Sequence, residues 1–136
     1  MTLPLAGQRV LLLGAETDLG RACAEALAGA GATLALVSAT GDAEAAFAVK
    51  RLASKLGAAT SQAIDATNEA AVRVMVRQVS KALGGLNAVV VAAQDPGIAG
   101  MAEPLAEREM QRSGGGAFVV AQDAGHIVRA VAGEAS

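Results

Sequence analysis

The residues that could bind an anion begin at Gly14 and end at Gly20, in the turn Gly-Ala-Glu-Thr-Asp-Leu-Gly. An apolar run at residues 10–13 precedes this turn, and a helical pattern of apolar residues follows it. A glycine-containing turn between a strand and a helix directs backbone N–H groups and the positive end of the helix to one point. The turn therefore predicts a place for a pyrophosphate group.

Asp18 opposes this interpretation, because its carboxylate lies at the start of the helix, where a pyrophosphate would need the same positive end. Two like charges at close range in a partly desolvated turn would cost on the order of a few kcal/mol. The Asp18 side chain could satisfy the N–H groups itself, as an internal substitute for the anion. It could also be an ordinary helix-start residue that the helix dipole stabilises. Both alternatives weaken phosphate binding.

Other carboxylates are expected near this turn. In a doubly wound sheet the loops at the carboxyl ends of the strands meet, and here these loops hold Glu16, Asp18, Asp65 and Asp95. So many acids near one crevice disfavour a free anion. A divalent cation could bridge them, since hard cations choose oxygen ligands. Loop acids are usually solvated, however, and we predict no metal site.

The elements that must position these residues are visible as short apolar runs at near-constant spacing, at residues 10–13, 33–37, 58–64 and 88–93. Helical patterns fill the gaps, and in the first of them Leu19, Cys23 and Leu27 share one face. Apolar strands that alternate with amphipathic helices indicate a parallel sheet covered on both faces. We predict an α/β fold, a three-layer doubly wound Rossmann-type domain of about four strands, with a βαβαβαβ core over residues 1–97.

The segment 98–136 is less regular. Pro96, Gly97 and Gly100 interrupt the pattern, and residues 104–111 fit a short helix. Two alternatives exist for the chain beyond Gly116. Residues 114–121 could form a fifth strand entered through glycines, or residues 117–131 could form a long helix. We favour the helix, because its apolar pattern persists for nearly four turns.

Composition excludes several classes of protein. The 136 residues correspond to a single domain, with 11 basic and 13 acidic residues, one Cys, two Phe and no Tyr. No excess of positive charge and no aromatic platform is present for a nucleic acid partner. No apolar run approaches the ~18 residues of a membrane span, and residues 1–14 lack the pattern of a signal peptide. We expect a cytoplasmic domain with neither a membrane nor a nucleic acid as partner.

With these patterns established, the sequence resembles the short-chain dehydrogenase/reductase family. The phosphate turn of that family is Thr-Gly-x-x-x-Gly-x-Gly, and Gly14 and Gly20 match its outer glycines, whereas Leu13 and Asp18 replace the Thr and the middle Gly. Asp65 matches the Asp that contacts adenine after the third strand of the family. Residues 86–94 are similar to the fourth strand, which usually ends in Asn-Asn-Ala-Gly; from this tetrad the chain keeps the Ala, at position 93.

The resemblance implies weak binding of NAD or NADP at most. The residue that would distinguish the two follows the second strand; here it is Ser38, neither an acid for a ribose diol nor an Arg for a 2′-phosphate, so neither cofactor is preferred. The cofactor-contacting positions that the resemblance implies are Gly14, Asp18, Leu19, Gly20, Ser38, Asp65, Ala66 and Ala93.

The resemblance does not extend to the catalytic residues of the family. Its members are usually nearly twice as long and use a Ser and a Tyr-x-x-x-Lys motif, whereas this sequence has no Tyr and no Lys after Lys81. Ser113 falls where a catalytic Asn would be, and residues 116–122 resemble the start of the family's subunit-contact helix. We predict no catalytic residues, because the proton relay of the family cannot be assembled from one copy of this sequence.

The sequence is thus identified as a truncated, degenerate family relative that acts as a binding or oligomerisation module. We expect a homodimer or higher oligomer that covers the fourth strand's unpaired edge, through that edge or through the 117–131 helix. A full-length family member is another candidate partner. The alternative is a weak NAD(P)-binding oxidoreductase with residual or partner-complemented activity. A phosphoacceptor receiver domain is disfavoured, since the paired acids and the late Lys that it needs are absent.

Overall fold

A computed structural model describes residues 3–133 of the chain as five strands and five helices in strict alternation. The strands are β1 (Arg9–Leu13), β2 (Thr33–Ser38), β3 (Thr60–Ala63), β4 (Ala88–Val91) and β5 (Ala117–Val120), and the helices are α1 (Asp18–Gly29), α2 (Ala43–Leu56), α3 (Glu69–Leu83), α4 (Pro96–Gln111) and α5 (Ile127–Ala132).

The strands form one parallel sheet in the order β3-β2-β1-β4-β5. Leu11 at the centre pairs with Ala35 on β2 and with Val89 on β4. Alternate side chains of the sheet enter two separate hydrophobic clusters. One is shared with α1, α2 and α5, and the other with α3 and α4. The central strands β1, β2 and β4 are mostly apolar and buried between the two helix layers, which confirms the predicted three-layer, doubly wound architecture.

Short polar residues fix where the helices begin. The side chains of Thr17, Asp42, Asn68 and Asp95 each accept a backbone N–H from the first turn of α1, α2, α3 and α4, respectively. Such caps satisfy N–H groups that have no partner within the helix. Because each cap lies in or directly after a strand-to-helix loop, the four caps lie at the same end of the sheet, where the strands have their carboxyl ends.

The prediction of a long helix over residues 117–131 is wrong. Residues 117–120 form β5, which pairs in register with β4 from Ala88 to Val91, so the sheet has five strands and the glycine-entered strand is the correct alternative. Gly114 and Gly115 adopt positive φ values of 97° and 103° in the approach to β5. The short run Ala-Phe-Val-Val fits a helix or a strand by periodicity, and pairing along β4 decides between them.

The break predicted around Pro96 is also wrong. Helix α4 begins at Pro96 and continues through Gly97, Gly100 and Pro104 to Gln111, well before the expected start at residue 104. Pro is favoured at the first position of a helix, where its missing N–H has no role. Burial of an apolar stripe that includes Ile98 and Met110 outweighs the poor helix propensity of the glycines.

The open edge of the sheet therefore lies one strand further out than predicted. Strand β4 is paired on both sides, by β1 and β5, and within residues 3–133 the edge strands are β3 and β5. On β5 the side chain of Val120 is 52% exposed. Of the helices that the structure describes, none combines the length and the apolarity needed to cross a membrane.

Candidate functional site

The turn between β1 and α1 is held by close backbone packing at its two glycines. Gly14 has a φ of 98°, and a Cβ atom added there would lie 2.6 Å from the backbone N of Ala93. A Cβ atom on Gly20 would overlap the carbonyl oxygen of Gly14. Neither position can accept a side chain without a shift of the backbone, so both predicted glycines bring α1 against the ends of β1 and β4.

Thr17 organises this turn, and the sequence analysis missed it. Its hydroxyl oxygen accepts the N–H of Gly20 at 2.8 Å. The same hydroxyl lies within donating distance of the carbonyl oxygens of Gly14 and Ala92, at 2.9 and 3.2 Å. Thr17 thus joins the start of α1 to the ends of β1 and β4. The signal available in the sequence was a cap-forming residue three positions before Gly20.

Asp18 is the first residue of α1, and its side chain is fully exposed. Its carboxylate forms an ion pair with Arg21 at 3.2 Å. The alternative in which Asp18 substitutes internally for the anion is therefore wrong, because Thr17 provides the cap and the Asp18 side chain faces solvent. The amides of Asp18 and Leu19 belong to the first turn, where N–H groups have no partner within the helix.

A crevice of about 600 Å³ lies at the carboxyl ends of the strands. It is lined by residues from the loops after β1, β2, β3 and β4, which include Glu16, Thr40, Asp65 and Ala93. The crevice thus sits where the strand order reverses between β1 and β4, the usual ligand position in an open α/β sheet. Two of the predicted residues, Asp65 and Ala93, line it directly.

The remaining predicted residues support the crevice from behind. Ser38 is fully buried, and its hydroxyl bonds the backbone of Thr40. Ala66 is also buried, and its amide donates to the carbonyl of Ala39. Leu19 packs against the hydrophobic cluster under α1. These residues shape the loops after β2 and β3 and the start of α1, and their side chains do not line the crevice.

Three of the four predicted loop acids line the crevice, and Asp18 does not. Each of the three already has a local partner. Glu16 accepts the amide of Ala39 at 3.0 Å, and Asp95 accepts that of Gly97 at 2.9 Å. Asp65 accepts the hydroxyl and the amide of Thr67, which hold the pKa of its carboxyl below the ordinary value. In residues 3–133 no group of three or more such side chains could hold a metal ion.

Two further residues whose side chains are chemically reactive, Ser113 and Cys23, lie outside the crevice. The hydroxyl of Ser113 accepts the amide of Leu86 at 3.2 Å, just before β4, at the opposite end of the sheet from the crevice. The catalytic-Asn position implied by the resemblance is therefore wrong for Ser113. Cys23 is fully buried, and burial together with the charge of Asp123 raises the pKa of its thiol.

The parallel sheet order, the glycine turn and the crevice at the switch point define a Rossmann-type domain. A family model described as enoyl-(acyl carrier protein) reductase matches residues 14–133. The chain belongs to this family, within the short-chain dehydrogenases/reductases. A search of curated protein sequences finds no match.

Solved structures give the same fold. A short-chain type dehydrogenase/reductase from Mycobacterium marinum is 25% identical with a TM-score of 0.72, over 96% of this chain and 66% of that one. The hydroxysteroid dehydrogenase from Escherichia coli is 19% identical with a TM-score of 0.76, over 89% and 56%. A relative from Mycobacterium ulcerans is 24% identical with a TM-score of 0.69, over 88% and 52%. The chain thus spans from about half to two thirds of their lengths.

Proposed function

We propose that this chain is an assembly module of the short-chain dehydrogenase/reductase family and does not perform the family's proton relay by itself. The 136 residues contain no Tyr, so these residues do not supply a Tyr-x-x-x-Lys motif. The crevice is lined by Glu16, Asp65 and Asp95, three carboxylates that oppose an anionic ligand.

The observation that carries the assembly role is the open edge of β5. An edge strand presents a row of backbone N–H and C=O groups that another chain can pair with. Beside this edge is a cavity of about 470 Å³, lined by residues of β5, the following loop and α5. The exposed Val120 lies at its rim. A second copy of this chain, pairing along β5 and covering the cavity, would bury both the edge and the exposed valine.

The test compares two lysine substitutions at equally exposed valines. Val120 on β5 and Val74 on α3 are both 52% exposed. We expect the unmodified chain to sediment as a dimer or higher oligomer at micromolar concentration. Val120→Lys should shift it to a monomer, because a charge on an edge strand opposes pairing, and Val74→Lys should not. A monomeric unmodified chain contradicts the proposal, as does an equal effect of the two substitutions.

The second candidate function is weak NAD(P) binding in the crevice, with residual or partner-complemented activity. The exposure of Asp18 and its ion pair with Arg21 favour it, because solvent and the partner charge reduce repulsion of a phosphate. The crevice volume of about 600 Å³ lies within the ordinary range for small-molecule sites.

A thermal shift measurement tests this candidate. A ligand that binds only the folded chain raises its melting temperature by mass action. We expect Asp18→Gly to give a larger shift with NAD(H) or NADP(H) than the unmodified chain, and Asp18→Asn to separate loss of charge from loss of the side chain. If millimolar cofactor produces no shift in any of the three chains, cofactor binding is rejected and the assembly role is unaffected.

A further inference from the structure

A second cleft, unrelated to the crevice, lies between α3 and α4. It measures about 110 Å³, and four arginines line it. Arg73 and Arg77 come from α3, whereas Arg108 and Arg112 come from α4 or its end. Four of the 11 basic residues of a chain with net charge −2 thus meet at one place.

The acidic residues at this cleft do not balance the arginines. Glu109 is the one acid in its lining, with a side chain that is 11% exposed and 3.6 Å from the guanidinium of Arg112. Arg73 is paired with Glu69, one turn earlier on α3. The side chains of Arg77 and Arg108 form neither a hydrogen bond nor an ion pair with any residue from 3 to 133. Two guanidinium groups therefore remain available to a ligand.

The spacing of the arginines is unfavourable for the helices alone. Arg73 and Arg77 are four residues apart on α3, and Arg108 and Arg112 are four residues apart at the end of α4. Like charges at this spacing share one face of a helix and destabilise it. Apolar residues such as Val76 and Leu105 also line the cleft and belong to the hydrophobic cluster that α3 and α4 share. A bound anion would offset the repulsion.

We propose that the α3–α4 cleft binds a phosphate-type dianion, either free phosphate or the phosphate group of a small ester. Guanidinium groups present planar pairs of N–H donors that match phosphate oxygens. The cleft volume suits a single tetrahedral oxyanion and not a whole nucleotide. This site goes beyond the assembly role, because none of its lining residues belongs to β5 or lines the crevice.

The experiment is a titration of the full chain with inorganic phosphate at constant ionic strength. Binding is followed by NMR through the Nε–Hε signals of the arginines, with sodium chloride as the blank. Arg77→Gln combined with Arg108→Gln should weaken binding at least about tenfold, since each substitution removes a hydrogen bond to a charged group. Arg77→Lys combined with Arg108→Lys should give an intermediate affinity, because these substitutions keep the charge and lose the planar donors.

The matched control removes two charges from another helix. Arg51→Gln combined with Lys55→Gln on α2 changes the net charge by the same amount and should alter the affinity by no more than about twofold through general screening. A parallel titration with glycerol phosphate distinguishes the sources, because the tighter ligand identifies whether free phosphate or an ester is preferred.

Three results would overturn the proposal. Absence of saturable shifts shows that the cleft holds no phosphate. Equal weakening by both double substitutions shows general attraction, and unchanged affinity in the Arg77/Arg108 variant places the anion elsewhere, for example at the Gly14 turn. If phosphate does not bind and the Arg77/Arg108 variant sediments differently from the unmodified chain, the arginines instead contact an acidic segment of a second copy.

Discussion

The crevice at the carboxyl ends of the strands and the α3–α4 cleft carry opposite charges and are built differently. The crevice is formed by loops whose acids already bond nearby backbone amides, as Glu16 does with Ala39. The cleft is formed by two regular helices whose arginines include Arg77 and Arg108, which the residues described by the structure leave unpaired. The position expected for a ligand in this fold is thus the less favourable one for an anion, and the helix surface is the more favourable one.

The largest change in the free energy of unfolding is expected at Gly20, where the backbone packs closely beside the crevice. Gly29, on the open surface of the same helix, provides the comparison. Gly20→Ala should lower the free energy of unfolding by more than about 3 kcal/mol, because the new Cβ overlaps the carbonyl of Gly14. Gly29→Ala, in the same helix α1 and with no atom near its Cβ position, should leave the protein unchanged or stabilise it by up to about 1 kcal/mol. Urea denaturation measures both; equal losses would mean that the turn tolerates a side chain.

A smaller effect of the opposite sign is expected at the cleft. Arg77→Gln should raise the free energy of unfolding by about 0.2–0.5 kcal/mol in phosphate-free buffer, because it removes repulsion with Arg73 one turn away. The gain should shrink as salt is added. Arg51→Gln, on α2, serves as the comparison. If Arg77→Gln destabilises the protein without phosphate, the arginines are not in mutual repulsion.

The smallest effect is at Asp65 in the crevice. The Thr67 hydroxyl and amide lower the pKa of its carboxyl from the ordinary value. A group with a lowered folded pKa adds stability above its unfolded pKa, and this is lost as the pH falls through the folded value. NMR titration should therefore give a midpoint below that of an ordinary Asp, and this midpoint should rise in Thr67→Val. A midpoint that does not move in this variant would assign the shift to other groups.

The sequence predicted the four-strand core because apolar runs alternate there with amphipathic helices at near-constant spacing. It failed beyond that core, where glycines and prolines interrupt the alternation. The run at residues 117–120 fits either a helix or a strand, and only the free edge of β4 decides between them. Pro96 is typical of a break in the pattern, but it is the first residue of α4, and Asp95 caps this helix. Caps and strand pairing depend on neighbours that periodicity does not contain.

The site was predictable in part for the same reason. Gly14 and Gly20 follow from the turn, whereas the direction of the Asp18 side chain depends on Arg21 and on the cap that Thr17 provides. The basic face at Arg73 and Arg77 is visible in the sequence of α3. Its convergence with Arg108 depends on how α4 packs against α3, and periodicity does not contain that information.

The position of β1 in the sheet has a consequence for synthesis of the chain. Strand β1 pairs with β2 soon after it in sequence, but its other neighbour is β4, which begins at Ala88. Between the end of β2 and the start of β4 lie roughly 50 residues, so at about 5–20 residues per second a ribosome needs about 3–10 s to supply the second partner. During this interval the central strand of the finished sheet is an edge. A nascent chain stalled before Ala88 would expose Leu11 and its neighbours to chaperones or to other nascent chains.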